Sequence, residues 1–164
     1  MTRADATRIH ENRVILACFE VRGGVYALDV ACVREVVRWQ EVTPLPKAPA
    51  LIDGVIDLRG GVIPVIDLGF TLHGERCDPD SRTRIVISDV EGLVVGMIVD
   101  AAVDVVAVDV SELDDPPALA AQAGYDATRA VVRRADAPPI LVLSLEHVLE
   151  SVYRSALEPM EEAS

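Results

Sequence analysis

Apolar residues in this chain come in short, β-branched runs broken by glycine and charge, a texture that predicts strands more than helices. The first two runs predict strands over Val14–Val21 and Val25–Val30, joined through Arg22-Gly23-Gly24. The period then changes. Val33, Val36 and Val37 fall at i, i+3 and i+4, so Ala31–Val37 reads as a short helical turn with Glu35 on its flank. Three prolines in Pro44–Pro49 can continue neither a ladder nor a helix and predict an extended connector. Ala50–Asp53 then reads as one helical turn ended by Gly54.

The stretch Gly54–Leu68 reads as strand, tight turn, strand, with the turn built on Arg59-Gly60-Gly61. Arg59 is the unusual residue, a cation at the corner of an apolar ribbon, placed either to point into water or to hold a guanidinium for recognition. Asp67 is positioned to cap a short helix over Gly69–Leu72 that Gly74 ends. Further strands are predicted over Arg84–Val90, Leu93–Val99 and Ala102–Val110, with Glu91-Gly92 joining the first two. Ser111–Asp115 reads as a capped single turn, and Thr128–Arg134 with Ile140–Ser144 as a last hairpin. A terminal amphipathic helix starts near Ser144, with Leu145, Val148, Leu149 and Val152 at helical spacing.

One internal echo stands out. Gly23, Val30, Glu35, Val36 and Val37 recur as Gly92, Val99, Asp104, Val105 and Val106 at a constant offset of 69 residues. The echo suggests a duplicated half-domain, and two small barrels side by side would accommodate it.

Composition narrows the classes. The 164 residues are 51% hydrophobic but only 4% aromatic, so the core must be built from Val, Ile, Leu and Ala. A net charge of −12 repels phosphate backbones and anionic lipid, which argues against nucleic-acid or membrane-surface binding and favours basic partners. The first 12 residues read as a charged, disordered tail without the apolar core of a signal peptide. The longest apolar run, Leu93–Val99, is far too short to span a membrane, so no membrane insertion is expected. Cys18, Cys32 and Cys77 form no CxxC and read as small core residues of a reducing, cytoplasmic setting.

Catalytic signals are weak. Neither glycine-rich phosphate loop occurs, and none of the seven serines lies in G-x-S-x-G. His10, His73 and His147 lack metal-ligand spacing, so neither metal nor cofactor is expected. Val65-Ile66-Asp67-Leu68-Gly69 has the outline of an aspartic-hydrolase loop. Its only echo, Asp57-Leu58-Arg59-Gly60, is imperfect, and leucine replaces the hydroxyl residue such loops use after the aspartate.

The Gly54–Leu68 ribbon, GVIDLRGGVIPVIDL, resembles the signature of the CheW family, the coupling proteins of bacterial chemotaxis, G-x-x-N-L-R-G-x-x-x-P-x-x-D-L. The resemblance extends from about Val14 to about Leu149 through Tyr26, Val33–Val37, Pro46, Pro49, Gly96, Val99-Asp100 and Asp104-Val105. It implies an all-β fold with short helices: two five-stranded SH3-like barrels packed side by side over residues 13–150 as intertwined subdomains. The C-terminal helix end and an acidic tail follow over 151–164. It further implies a non-catalytic adaptor, cytoplasmic and recruited to receptor arrays. The partners would be the cytoplasmic tips of methyl-accepting receptors and the CheW-like regulatory domain of the histidine kinase CheA. The alternative it leaves is an adaptor of a non-flagellar chemosensory pathway, for surface motility or development, or a regulatory fragment of a larger kinase or response-regulator fusion. Partner-coupling positions of the family match Val33, Glu35, Arg59 and Val105, with Gly54 and Gly60 as backbone positions of the same motif. Asp57 departs from the family's asparagine and adds a carboxylate that could pair with Arg59.

Overall fold

The structure, a computed structural model, describes residues 12–117, 127–152 and 154. Of the tails expected over 1–12 and 151–164, residues 1–11, His10 among them, and 153 and 155–164 lie outside the described residues.

Tight turns set the strand boundaries. β1 (Arg13–Val21) and β2 (Gly24–Asp29) form the first hairpin, β4 (Ile52–Leu58) and β5 (Gly61–Asp67) the second, β6 (Arg84–Val90) and β7 (Leu93–Val99) the third. Their turns repeat one conformation. Arg22, Arg59 and Glu91 sit at φ 52, 51 and 52°, each followed by a glycine at φ 80–85°. Two successive left-handed residues make the type I′ turn whose twist matches that of paired strands, and only the second position is held by glycine here. Between the hairpins lie β3 (Val33–Arg38), entered through a 3-10 turn over Val30–Cys32, and α1 (Leu68–His73). β8 (Ala101–Asp109), a 3-10 turn at Val110–Glu112, β9 (Leu113–Asp114), β10 (Thr128–Val132) and β11 (Ile140–Leu143) follow, and α2 covers residues 145–152.

Two local expectations are corrected. Val33–Arg38 is a strand, not a helical turn, and the cause is a bulge: the register against β6 shifts between Val33 and Glu35. The extra residue breaks the period of two, so the valines mimic helical spacing. Asp53 likewise lies within β4, and Ala50-Leu51 form only a turn ahead of it.

The strands make two mixed sheets with orders β8-β1-β2-β11-β10-β9 and β3-β6-β7-β5-β4. The expected pair of closed five-stranded SH3-like barrels is therefore not observed: one sheet has six strands, and neither closes by hydrogen bonds between its edge strands. Each instead folds its own continuing chain back onto the far edge. Beyond β3, Thr43 exchanges two backbone hydrogen bonds of 2.9 Å with Val55 of β4. Beyond β8, Leu113 and Asp114 pair with Val132 and Val131 of β10.

The echo has a structural counterpart. Replacing β1, β2, β3, β4 and β5 by β6, β7, β8, β10 and β11, and the reverse, turns one strand order into the other, β9 aside. Each sheet thus takes a hairpin from the opposite half of the chain. Registers match as well. Glu35 faces Ile87 in one sheet and Asp104 faces Cys18 in the other, both next to a bulge at the same point of the ladder. Helix caps correspond too, with Asp67 Oδ1 accepting from the Phe70 N–H at 3.2 Å and Ser144 Oγ from the His147 N–H at 3.4 Å.

Three apolar cores result. One lies against the six-stranded sheet around Leu16, Ala27, Val132 and Val142, a second against the five-stranded sheet around Val65, Ile85, Ile87 and Ile98. The third and largest joins both sheets through Phe19, Leu28, Ile66 and Met97. α2 docks there with Leu145, Val148, Leu149 and Val152 all buried, each such side chain contributing about 2 kcal/mol from removal of apolar surface.

Candidate partner-binding site

The site grows from the β4–β5 ribbon. Gly54 opens it, and any Cβ there would meet the Thr43 carbonyl oxygen far inside van der Waals distance. That glycine lets the connector lie flat on β4 and make the Thr43–Val55 bridge. At the ribbon's other end Gly60 sits in open space at φ 80°, needed for turn geometry rather than close approach. Arg59 precedes it at φ 51° with a largely exposed side chain. Its Nη1 donates to Glu35 Oε2 at 2.8 Å.

That pair is informative because β3 and β4 are opposite edges of one sheet. A 2.8 Å contact between them requires the sheet to curl until its edges meet. The pairing with Asp57 that the sequence allows does not form: the left-handed turn carries Arg59 toward β3, while Asp57 stays in the ladder opposite Val62. Glu35 and Arg59 remain solvent-accessible, so the pair adds at most about 1 kcal/mol to stability. Its value is positional.

The other two positions separate. Val33 is half-buried and packs against the inter-sheet core, so a structural role is built into it. Val105 lies on the other sheet, 59% exposed, opposite Ala17 of β1. The structure therefore brings Glu35 and Arg59 together with the two glycines of their ribbon, and leaves Val105 on a separate surface. Exposed apolar residues that the sequence reading did not assign to partner contact flank both places. Val62 is 69% exposed at the ribbon tip, Val36 is exposed on β3, and Val103 joins Val105 on β8. Period-two alternation does not mark Val103, because it is the extra residue of the β8 bulge, between Ala102 and Asp104.

Other chemistry-bearing groups have structural tasks. Asp67 is buried, accepting from the Phe70 and Cys77 N–H groups. Burial pushes its carboxyl above the usual range despite those bonds. The three cysteines are free; burial raises all three thiols, Cys77 to about 12. The Tyr26 hydroxyl and His73 Nε2 are 2.8 Å apart, linking β2 to α1. No helix among the described residues is long and apolar enough to cross a membrane.

The CheW-like domain family model matches residues 16–153. The chain is 31% identical over 156 residues to the chemotaxis protein CheW of Rhizobium meliloti (strain 1021), covering 95% of this chain and 99% of that one. Protein FrzA of Myxococcus xanthus is 35% identical over 102 residues, 61% of this chain and 62% of its own. Among solved structures, the scaffolding protein TtCheW from Thermoanaerobacter tengcongensis superposes with a TM-score of 0.73 at 29% identity, covering 82% of this chain and 86% of that one. Together with the mostly-β, two-sheet fold, these matches define the class as a chemotaxis scaffold. This chain belongs to the CheW family.

Proposed function

We propose that this protein is a non-catalytic adaptor coupling methyl-accepting chemoreceptors to the histidine kinase CheA. It works in the cytoplasm, recruited to receptor arrays at the membrane. Residues 13–150 act as one coupling module of two intertwined subdomains, and the receptor tip and the kinase's CheW-like regulatory domain are its partners. One observation carries the reading. Two exposed surfaces sit on different sheets, one at Glu35, Arg59 and Val62, the other at Val103 and Val105. A bracket that joins two partners needs two such surfaces held rigidly apart, and the shared inter-sheet core supplies the rigidity. Glu35 and Arg59 supply register and specificity, and exposed valine supplies apolar contact.

Co-sedimentation with receptor arrays and kinase tests it. Arg59→Glu should fold normally and lower recovery of the ternary assembly at least about 10-fold, a coupling loss of about 1.4 kcal/mol. The exchange Glu35→Arg with Arg59→Glu should restore part of it. Normal recovery of the single variant would remove Arg59 from the coupling role. A second reading, the same adaptor in a non-flagellar chemosensory pathway serving surface motility or development, is favoured by the likeness to FrzA. Which receptor and kinase co-purify from the native cell separates the two.

A further inference from the structure

The end of the β3–β6 ladder carries an arrangement that the coupling pair does not use. Arg38 and Arg84 stand directly opposite each other in the antiparallel ladder. Like charges in that position repel and weaken the strand pair. Seven arginines among the described residues are ion-paired, but neither of these two is. The Arg84 guanidinium is nonetheless held in place, its Nη1 donating to the Ser81 and Thr83 carbonyls at 2.9 Å each. Trp39 follows Arg38, and its backbone is tied to the same loop, the main-chain N–H donating to the Thr83 carbonyl at 3.2 Å. Together these residues line an open cleft of about 390 Å³. The one acid in its wall, Asp80, is turned to the Arg82 N–H at 2.8 Å and the Thr83 hydroxyl at 3.5 Å.

Two guanidiniums without an ion pair, that of Arg84 held by its carbonyl contacts, and a part-exposed indole share one rim of a protein with net charge −12 and form a surface complementary to carboxylates. We propose that the Arg38–Trp39–Arg84 cleft docks an acidic segment of a protein partner. Adjacent carboxylates take the two guanidiniums, and the peptide backbone lies along the indole. Binding would relieve the cross-strand repulsion that the free protein carries. The proposal rests on the adaptor reading only in taking the partner to be a protein, and it is separate from Arg59, which is already neutralised by Glu35.

Trp39 is the sole tryptophan of the chain, so its emission reports from inside the cleft. The test titrates the full chain with a tryptophan-free deca-glutamate peptide at low and at physiological ionic strength. We expect a saturable change in Trp39 emission that weakens with salt. Arg38→Glu should weaken it at least tenfold, and Arg84→Glu likewise. Arg129→Glu makes the same charge change on the other sheet at an exposed position and should leave it unchanged. Arg38→Glu does not touch the Ser81 and Thr83 contacts, so a folding defect in Arg84→Glu leaves the test intact. No emission change in the wild type, or equal weakening by Arg129→Glu, would overturn the proposal. So would equally tight binding of a ten-residue thymidine oligonucleotide, which would mean general anion attraction. None of these outcomes depends on the Arg59→Glu co-sedimentation, so the two readings fail separately.

Discussion

The β3–β6 face and the β1–β8 face are the same piece of architecture used twice, with opposite chemistry. Register, bulge and the acidic residue beside the bulge coincide, Glu35 in one and Asp104 in the other. The side chains on the outer face do not. Arg34, Val36 and Arg38 on β3 correspond to Val103, Val105 and Ala107 on β8, and Arg84 corresponds to Ile15. One face is cationic with a single exposed valine; the other is apolar, with Ile15, Val103 and Val105 exposed. Glu35 is held by a cation from the far edge of its sheet, whereas Asp104, among the described residues, accepts from the next backbone N–H, that of Val105, at 2.7 Å. Backbone hydrogen bonds and buried cores fix the frame, and outward positions are then free to diverge. Two partners of different character can be served by one repeated scaffold.

That comparison breaks most severely at Gly54. Gly54→Ala forces a Cβ into the Thr43 carbonyl, so it should destabilise by more than about 3 kcal/mol in urea unfolding. Gly60→Ala has open space and a left-handed φ to bear, and should cost only about 1 kcal/mol. Equal effects at the two sites would show that the connector's contact with β4 contributes little.

Val33 and Val105 sharpen the contrast between the sheets. Val33→Asp introduces a carboxylate beside the inter-sheet core and should cost about 2 kcal/mol. Val105→Asp should change stability by less than about 0.5 kcal/mol while reducing partner recovery, because its side chain is in solvent. The two valines divide: Val33 packs against the inter-sheet core, and Val105 is exposed. A stability loss above about 1 kcal/mol for Val105→Asp would return it to the packing role.

The smallest effect belongs to Arg38. Arg38→Gln removes the cross-strand repulsion with Arg84 and should stabilise the free protein by roughly 0.5 kcal/mol, a rise of about 1–2 °C in Tm. A fall in Tm would indicate a favourable contact for Arg38 and weaken the case for a cationic cleft.

The hairpins, the Asp67-capped helix and the buried stripe of α2 are all legible in the chain, because each is set by neighbours a few residues apart. Paired left-handed turn positions, a cap and a 3.6-residue period are local signals. Strand status for Val33–Arg38 was not legible, because a bulge disguises its period and only pairing with β6 decides it. The recurrence at 69 residues was visible, but the exchange of hairpins between halves was not, since nothing local says which sheet a hairpin joins. The Glu35–Arg59 pair belongs to the same class. Both residues could be named from the sequence, yet 24 positions and the full width of a sheet separate them. Only the curl of that sheet over its core brings the two charges together, and such curvature is a property of the packed whole.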